Sequence, residues 1–409
     1  MDPTDAPIEL GTASAAPGEV DRGWLDVADL PTGTAERLPV IVANGVDPGP
    51  TLWLTGGVHG DEATGVAVVL DTVEALSTAA DGPRPLDDLA GCVVAVPVVS
   101  PAGVRRNARH TYYGDEDPNR HFPDADHESA RPPALQERID TRLYEAIVGG
   151  NGVGDGDRNA GDRSGDGRSG DDRNVDDRVS ADALIDCHTA GVASEPFAIR
   201  DRVLYGDRRT EREAEQLAGR LEAIVDAFGF PTLTEYPAAE YVEETLQRSL
   251  AGAVLNEAGI PAFTAELGAH SVVDDRLAAG GVAGTMGVVV ELGLLDEASI
   301  PERVGVPGDH VDPAPVEFPV RRYRGPVTDA AGLVRHRVEA GESFEAGDVL
   351  ASVVAANGAS KEPIRAEHDG YVIARAEGLA VYEGDPITSL AIRDDGELVV
   401  PRERGDEGE

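Results

Sequence analysis

The residues most informative about the fold are TLWLTGGVHGDEATGVAVVLDTVEAL, residues 51–76. Residues 51–55 are mostly apolar, which is typical of a buried strand, and the pair Gly56–Gly57 ends that strand. From residue 61 onward the apolar residues recur at helical spacing, at Val66, Val69, Leu70, Val73 and Leu76. The stretch therefore predicts a buried strand that leads through a glycine turn into a helix.

The rest of the first 310 residues repeats this alternation. Further apolar segments predict strands at residues 91–99, 183–187 and 261–267. Helical spacing and glycine stop signals predict helices at residues 134–148, 211–228 and 242–258. Strands that alternate with helices favour an α/β fold with helices on both faces of the sheet.

Residues 149–182 interrupt the pattern. The segment is rich in Gly, Asp, Arg and Ser and has no apolar face, so it cannot offset its ordering entropy by burial. We therefore predict an acidic, disordered insertion. A calcium-binding Asp/Gly repeat is the alternative, and the arginines interleaved through the segment argue against it.

From about residue 315 the helical signal gives way to short β-like segments with Gly-Asp turns. A weak repeat relates residues 332–350 to 370–387, and such half-motifs resemble the barrel-sandwich hybrid of biotinyl and lipoyl domains. Those domains carry a modified lysine. Lys361, the one lysine here, lacks their flanking residues, so a solvated lysine is favoured. We predict an α/β domain at 1–310, an all-β domain at 315–398 and an acidic tail at 399–409.

The chain of 409 residues is strongly acidic, with 76 Asp and Glu against 35 Lys and Arg and a formal net charge of −41. This charge repels phosphate groups and argues against binding to nucleic acids or anionic membranes. No apolar run reaches the roughly 18 residues that cross a bilayer, and the acidic N-terminus lacks the features of a signal peptide. Two cysteines, Cys92 and Cys187, cannot form a disulfide framework, so we expect a cytoplasmic protein.

The proportions of the charged residue types predict an organism that lives at high salt. Asp outnumbers Glu by 41 to 35, and 34 of the 35 basic residues are Arg. An Asp-rich, Lys-poor composition resembles that of proteins from haloarchaea, which accumulate salt in the cell. The acidic residues are spread along the chain, so this interpretation is favoured over an acidic surface that binds a basic partner.

Candidate metal ligands lie at the ends of two predicted strands. His59 and Glu62 follow the first strand, and His188 follows the strand at 183–187. The carboxyl ends of strands in α/β sheets bind ligands, and two His with one Glu form a ligand set of hydrolytic zinc enzymes. We therefore predict one Zn²⁺ ion per chain at these three residues.

The neighbours of His188 have different expected roles. Because side chains alternate along a strand, Cys187 is expected in the core. Asp186 can share the side of His188 and orient its imidazole ring, and a surface position is the alternative.

Two other features could serve chemistry. Residues 105–123 concentrate arginines, of which Arg105 and Arg106 are interpreted as surface charge. Glu266 lies in an apolar strand, where a carboxylate is costly unless it pairs with a buried arginine or acts as a general base.

Four motifs in order, Gly-x-His-Gly-x-Glu, Asn-Arg-x-Phe-Pro, Ile-Asp-x-His-Thr and Thr-Ala-Glu-Leu-Gly, resemble those of the succinylglutamate desuccinylase/aspartoacylase family, relatives of the zinc carboxypeptidases. The resemblance covers roughly residues 35–300. It implies a three-layer, zinc-carboxypeptidase-like α/β domain with a central mixed sheet, followed by an all-β, barrel-sandwich-like domain. It also implies that His59, Glu62 and His188 bind zinc and that Glu266 is the general base.

The resemblance extends to the arginine-rich loop. It implies that Asn119 and Arg120 bind a substrate carboxylate and that Arg109, assigned by its distance before this pair, polarises the scissile carbonyl. The sequence departs from the family where Pro118 follows Asp117, because the family usually has Asp-Leu there. The acidic insertion also precedes the third ligand, and no residue here matches the family's C-terminal pocket tyrosine.

These inferences predict a zinc-dependent deacylase that hydrolyses the amide bond of a small N-acyl-amino acid. Alternatives within the enzyme class are a zinc carboxypeptidase acting on peptides and an N-acetyl-diaminobutyrate deacetylase of compatible-solute metabolism. Outside it, a metal-bearing binding module or a carrier modified on Lys361 remains open, as does homo-oligomerisation.

Overall fold

The structure is a computed structural model that describes residues 6–79, 83–114, 116–124, 132–149, 177–206 and 208–402. Most of the predicted insertion at 149–182 lies outside the described residues, as does the end of the predicted acidic tail from residue 403 onward.

Strands, helices and short helical turns alternate through the described residues. The strands are β1 (Ile8–Leu10), β2 (Ala13–Ala15), β3 (Glu19–Asp29), β4 (Ala35–Asn44), β5 (Asp47–Gly56), β6 (Ala90–Val96), β7 (Ala183–Ala190), β8 (Phe197–Arg200), β9 (Val203–Tyr205), β10 (Thr232–Thr234), β11 (Ala262–Ala269), β12 (Val320–Arg324), β13 (Gly332–His336), β14 (Ser343–Phe344), β15 (Val349–Val354), β16 (Ser360–Arg365), β17 (Gly370–Arg375), β18 (Ala380–Val381), β19 (Thr388–Arg393) and β20 (Val399–Pro401). The α-helices are α1 (Ala63–Ser77), α2 (Pro101–Val104), α3 (Leu135–Val148), α4 (Glu211–Phe228), α5 (Ala238–Glu243), α6 (Leu250–Ala253) and α7 (Asp275–Glu291). Short 3-10 helices occur at Pro85–Asp88, Pro118–Arg120, Asp177–Val179, Leu246–Arg248, Glu297–Ser299 and Glu302–Val304, with a π-helical turn at Val254–Ala258.

A large mixed sheet forms the centre of the molecule. Its strand order is β14-β17-β19-β12-β10-β8-β11-β7-β5-β6-β4-β3. The strands β6, β5, β7 and β11 are parallel to one another, whereas β8 runs antiparallel to β11. The α/β fold with a central mixed sheet is therefore confirmed, and the carboxyl ends of β5, β7 and β11 lie side by side.

Helices pack on the sheet through their apolar sides. Helix α7 packs against both α1 and α4, and α1 also packs against β5 and β7. β7 is buried almost throughout and β5 is buried from residue 51 onward, as their apolar runs require. This packing fixes the start of α1 against the ends of the neighbouring strands.

The helix predicted at 242–258 is wrong as a single element. The chain there is divided into α5, a 3-10 helix, α6 and a π-helical turn. At the break, the amide of Leu250 donates to Oδ1 of Asn119 and the carbonyl of Arg248 accepts from the amide of Phe122. The backbone groups at the break thus bind the loop around residue 120 instead of extending a helix.

The C-terminal strands extend the central sheet. β12 lies between β10 and β19, and a second sheet of order β16-β15-β13-β18 accompanies them. β20, in the predicted tail, pairs with β9. The proposed division at residues 310–315 remains a prediction, because the two parts of the chain share one sheet.

The described helices include none with both the length and the apolar character needed to span a bilayer.

Candidate active site

The turn after β5 is held close to its neighbours by glycines. Gly57 has a φ of +61°, a conformation that favours glycine. A Cβ atom on Gly60 would lie 1.9 Å from the carbonyl carbon of Gly103, so only glycine fits. This compact turn carries His59 and leads to Glu62, the residue before α1.

A second close approach aligns this turn with β7. Gly65, in the first turn of α1, lies so near β7 that a Cβ atom there would be 2.3 Å from the carbonyl oxygen of Cys187. The side chain of Cys187 is buried, as predicted. The contact brings Glu62 beside His188, 126 residues further along the chain.

The three predicted metal ligands meet in one buried cluster. Nδ1 of His59 lies 2.8 Å from Oε1 of Glu62, and Nδ1 of His188 lies 2.7 Å from Oε2 of the same carboxylate. One ligand atom from each residue falls within 4.8 Å of the other two. All three side chains are at most 3 % exposed. The cluster thus offers two imidazole nitrogens and a carboxylate to one small volume.

Two further carboxylates hold the outer sides of the imidazole rings. Oδ2 of Asp186 lies 2.7 Å from Nε2 of His188, and its Oδ1 accepts a hydrogen bond of 2.6 Å from the hydroxyl of Thr55. Oδ1 of Asp117 lies 2.9 Å from Nε2 of His59. Carboxylates in these positions orient metal-binding histidines and increase their basicity.

The donor set fits a divalent cation. Each imidazole has a carboxylate oxygen at both ring nitrogens, although a neutral ring carries only one N–H donor. A cation bound by Nδ1 and the carboxylate of Glu62 would satisfy the nitrogen that lacks a proton. Burial alone lowers the pKa of His59, but the carboxylates of Glu62 and Asp117 outweigh it and raise that pKa. Two His and one Glu are a zinc set with room for water, so these residues fit Zn²⁺.

Arg109 lies at the edge of this cluster. Its Nη1 is 3.2 Å from Oε1 of Glu62, and its Nη2 is 2.7 Å from Oδ2 of Asp117. The side chain is 44 % exposed, so one side of the guanidinium faces open space. Arg109, which the resemblance implied by its distance before Asn119 and Arg120, therefore lies beside the cluster with one side open.

Asn119 and Arg120 lie in the short helix that follows Asp117. Oδ1 of Asn119 accepts a hydrogen bond of 2.8 Å from the amide of Leu250, and Nη1 of Arg120 donates to the carbonyl of Asn119 at 2.8 Å. Oδ1 of Asp117 caps the amide of Asn119 at 2.9 Å. Oδ1 of Asn119 thus holds the loop to the start of α6. Arg120 forms no ion pair among the described residues.

Glu266 lies on β11 directly beside His188 on β7. Its Oε2 is buried and has no hydrogen-bond partner among the described residues, and no described arginine forms an ion pair with it. Burial and the charge of Glu62 raise the pKa of Glu266. A buried carboxyl group with a raised pKa beside a metal site has the properties of a general base.

These residues share one cavity of about 640 Å³. Its lining includes every predicted site residue and several that the sequence did not indicate, among them Asp117, Asp201, Glu235, His270, Arg322 and Glu377. A sequence signal existed for Arg322. In the run Val320-Arg321-Arg322-Tyr323-Arg324, arginines two positions apart would lie on the same face of a strand, which could have marked that face as a binding surface. Nothing local marked Asp201 or Glu235, because their burial depends on neighbouring strands.

Comparison with known proteins gives a consistent result. The family model described as the succinylglutamate desuccinylase/aspartoacylase catalytic domain matches residues 48–148. No curated protein matches the chain significantly. Residues 48–148 are therefore similar to the catalytic domain of that family.

Several solved structures share the fold of this chain. A succinylglutamate desuccinylase/aspartoacylase from Rhodobacter sphaeroides has a TM-score of 0.64 and 19 % identity, over 92 % of this chain and 96 % of that one. An aspartoacylase family protein from Mesorhizobium loti gives 0.63 and 20 %, over 96 % and 99 %. The ectoine utilization protein EutE (DoeB) from Ruegeria pomeroyi, in a product-bound structure, gives 0.63 and 19 %, over 91 % and 95 %. At these identities the likeness concerns the fold.

Proposed function

We propose that this protein is a zinc-dependent deacylase of the succinylglutamate desuccinylase/aspartoacylase family that hydrolyses the amide bond of a small N-acyl-amino acid. The observation that carries the proposal is the placement of Glu266 beside His188 on adjacent strands, in a cavity that also contains His59 and Glu62.

Each side chain at the site has a separate role in the hydrolysis of the amide bond. A bound zinc ion would supply activation of a water molecule and polarisation of a carbonyl group. Glu266 accepts the proton of the attacking water and returns it to the leaving amine, for which its raised pKa is suited. Arg109 donates to the carbonyl oxygen as negative charge develops on it.

Arg120 provides the charge for binding the substrate carboxylate. Its guanidinium lies in the cavity and has no carboxylate of the described residues within ion-pair distance. Holding the carboxylate at a set distance orients the acyl carbonyl toward Glu266, which lowers the entropic cost of the reaction.

The shape of the cavity favours a small substrate over a peptide. Residues of β17 and β19, from the C-terminal strands, form part of the lining of the cavity and so narrow the space beside the metal cluster. A zinc carboxypeptidase, the main alternative, needs an open cleft for the rest of the peptide.

A hydrolysis screen tests the proposal. N-acetyl- and N-succinyl-amino acids, N-acetyl-diaminobutyrate among them, and a dipeptide with a free C-terminus are incubated with the protein in multimolar salt, with and without a chelator. We expect chelator-sensitive release of a free amino acid from at least one N-acyl-amino acid. Hydrolysis of the dipeptide alone would identify a carboxypeptidase, and no hydrolysis by fully zinc-loaded protein would favour a binding module.

A further inference from the structure

One face of the central sheet connects the metal cluster to the C-terminal strands. Glu266 on β11 lies opposite Phe197 on β8, and Asp201 follows four residues later on the same side. Glu235, directly after β10, and Arg322 on β12 continue this face, and all five residues line the cavity. The cavity therefore extends along this face from His59, Glu62 and His188 to the charged side chains of Asp201, Glu235 and Arg322.

Arg322 is held in place at that far end. Its Nη1 donates a hydrogen bond of 3.0 Å to Oε1 of Glu235, and its guanidinium lies 5.9 Å from the centre of the Tyr236 ring. Burial lowers the pKa of Arg322, but the charge of Glu235 outweighs it and raises that pKa, so the group stays charged. Nε is buried and has no hydrogen-bond partner among the described residues. Glu235 therefore orients Arg322, whose guanidinium can still donate a hydrogen bond to a ligand.

Arg120, in the 3-10 helix Pro118–Arg120, also lines the cavity, together with Arg109 and Arg322. Burial and the charges of Arg322 and Arg109 lower the pKa of Arg120, although Asp117 and Glu235 act in the opposite direction. Arg109 is neutralised by Asp117 and Arg322 by Glu235. Among the described residues Arg120 has no ion pair, so one positive charge is left over.

The remaining acid at this end does not cancel that charge. Asp201 is 4 % exposed, and burial together with the charge of Glu235 raises its pKa to about 8. A carboxyl group with that pKa is mostly protonated at neutral pH. At this end of the cavity Arg120, which forms no ion pair among the described residues, and Arg322, whose buried Nε has no partner there, can therefore bind a carboxylate.

We propose that Arg322, contributed by the C-terminal strands, is a specificity-determining residue that binds the carboxylate of the substrate's amino acid together with Arg120. Glu235 orients Arg322 for this contact. Two guanidinium groups on opposite sides of one carboxylate admit N-acyl-amino acids and reject the uncharged amides of the same compounds. This inference rests on the proposed function.

The test compares an N-acyl-amino acid with its primary amide. In Arg322→Met we expect KM for the N-acyl-amino acid to rise about 10- to 100-fold, with a smaller change in kcat and little change in KM for the amide. Arg322→Lys should restore part of the loss. Arg321→Met, on the same strand but the opposite face, is the matched control and should behave as the wild type.

Binding to a catalytically inactive protein provides a second measurement. Calorimetry measures the affinity of zinc-loaded Glu266→Gln for N-acetyl-amino acids. When Arg322→Met is added to this variant, the affinity should fall by the same factor by which KM rises in Arg322→Met alone. If Arg322→Met alone misfolds because Glu235 loses its partner, the double variant Arg322→Met/Glu235→Gln replaces it.

The outcomes separate this inference from the proposed function. Equal KM increases for the acid and the amide, or no increase, would overturn the role of Arg322 while leaving hydrolysis intact. A selective loss for N-succinyl over N-acetyl substrates would assign Arg322 to the acyl group and would likewise overturn it. If the wild type hydrolyses nothing, Arg322-dependent binding of the carboxylate still supports this inference although the proposed activity fails.

Discussion

Oδ2 of Asp186 lies 2.7 Å from Nε2 of His188, two residues further along the same buried strand. Neither side chain is more than 3 % exposed, and the second oxygen of Asp186 is occupied by Thr55. The carboxylate therefore determines which nitrogen of His188 is available to a metal ion.

Asp186→Asn should lower zinc affinity about 10- to 100-fold, because the amide no longer stabilises the proton on Nε2 of His188. A chelator titration with elemental analysis measures the affinity. Asp226→Asn, an exposed position on α4, is the control. Unchanged affinity in Asp186→Asn would contradict the role of Asp186 in orienting His188 for the metal.

Asp117 connects the metal cluster to Arg109. Its replacement should therefore affect activity differently from the replacement of Asp186. Asp117 contacts His59 through one oxygen and Arg109 through the other. We expect excess zinc to restore most of the activity of Asp186→Asn but not that of Asp117→Asn, because zinc does not reposition Arg109. Values of kcat/KM over a series of zinc concentrations make the comparison, and equal recovery would contradict it.

Glu266→Gln should keep zinc but lower kcat by about 10²- to 10⁴-fold, the usual contribution of a general acid–base group. The amide is close in size to the carboxyl group but cannot accept the proton. Zinc content by elemental analysis and single-turnover rates are the two measurements. A variant with most of its activity would remove Glu266 from the mechanism.

Asp201 should make stability depend on pH. Its folded-state pKa of about 8 exceeds the ordinary value of 3.8, so the folded protein retains a proton that the unfolded chain releases. Its contribution to stability is therefore complete below about pH 4 and declines as the pH rises toward 8. The unfolding free energy of the wild type, minus that of Asp201→Asn, should fall between pH 5 and pH 8. A difference that is constant over this range would contradict the raised pKa.

Two glycine substitutions should have opposite effects. Gly65→Ala places a Cβ atom against the carbonyl of Cys187, so we expect a loss of about 1–3 kcal/mol in unfolding free energy and weaker zinc binding. Gly219→Ala, in α4 with nothing within 4 Å, should gain about 0.5–1 kcal/mol and leave zinc binding unchanged. Chemical denaturation and zinc titration of both variants provide the test.

Much of the α/β fold was predictable because its elements have strong local patterns. The helix expected from about residue 61 to 76 is α1 at Ala63–Ser77, and the strand expected at 183–187 is the first part of β7. The single helix expected at 242–258 was wrong, since apolar spacing could not show that its backbone binds Asn119 and Phe122.

The metal cluster was predictable for a related reason. His59 and Glu62 follow one recognisable strand and His188 lies near the end of another, and the ends of neighbouring strands meet at one edge of the sheet. Their roles in binding and catalysis remain predictions, as do a cytoplasmic location and a haloarchaeal origin.

The sequence by itself determined the strands around residues 51–55, 91–96, 183–187 and 262–267, the helices near 63–77, 135–148 and 211–228, and the glycine turn. These elements depend mainly on interactions within a few positions of the chain. Only the tertiary structure decided that Asp117 holds both His59 and Arg109, and that Arg322 reaches the same cavity as Arg120. The physical reason is that the burial and pairing of a charged side chain depend on which strands lie side by side, and local sequence carries little information about that order.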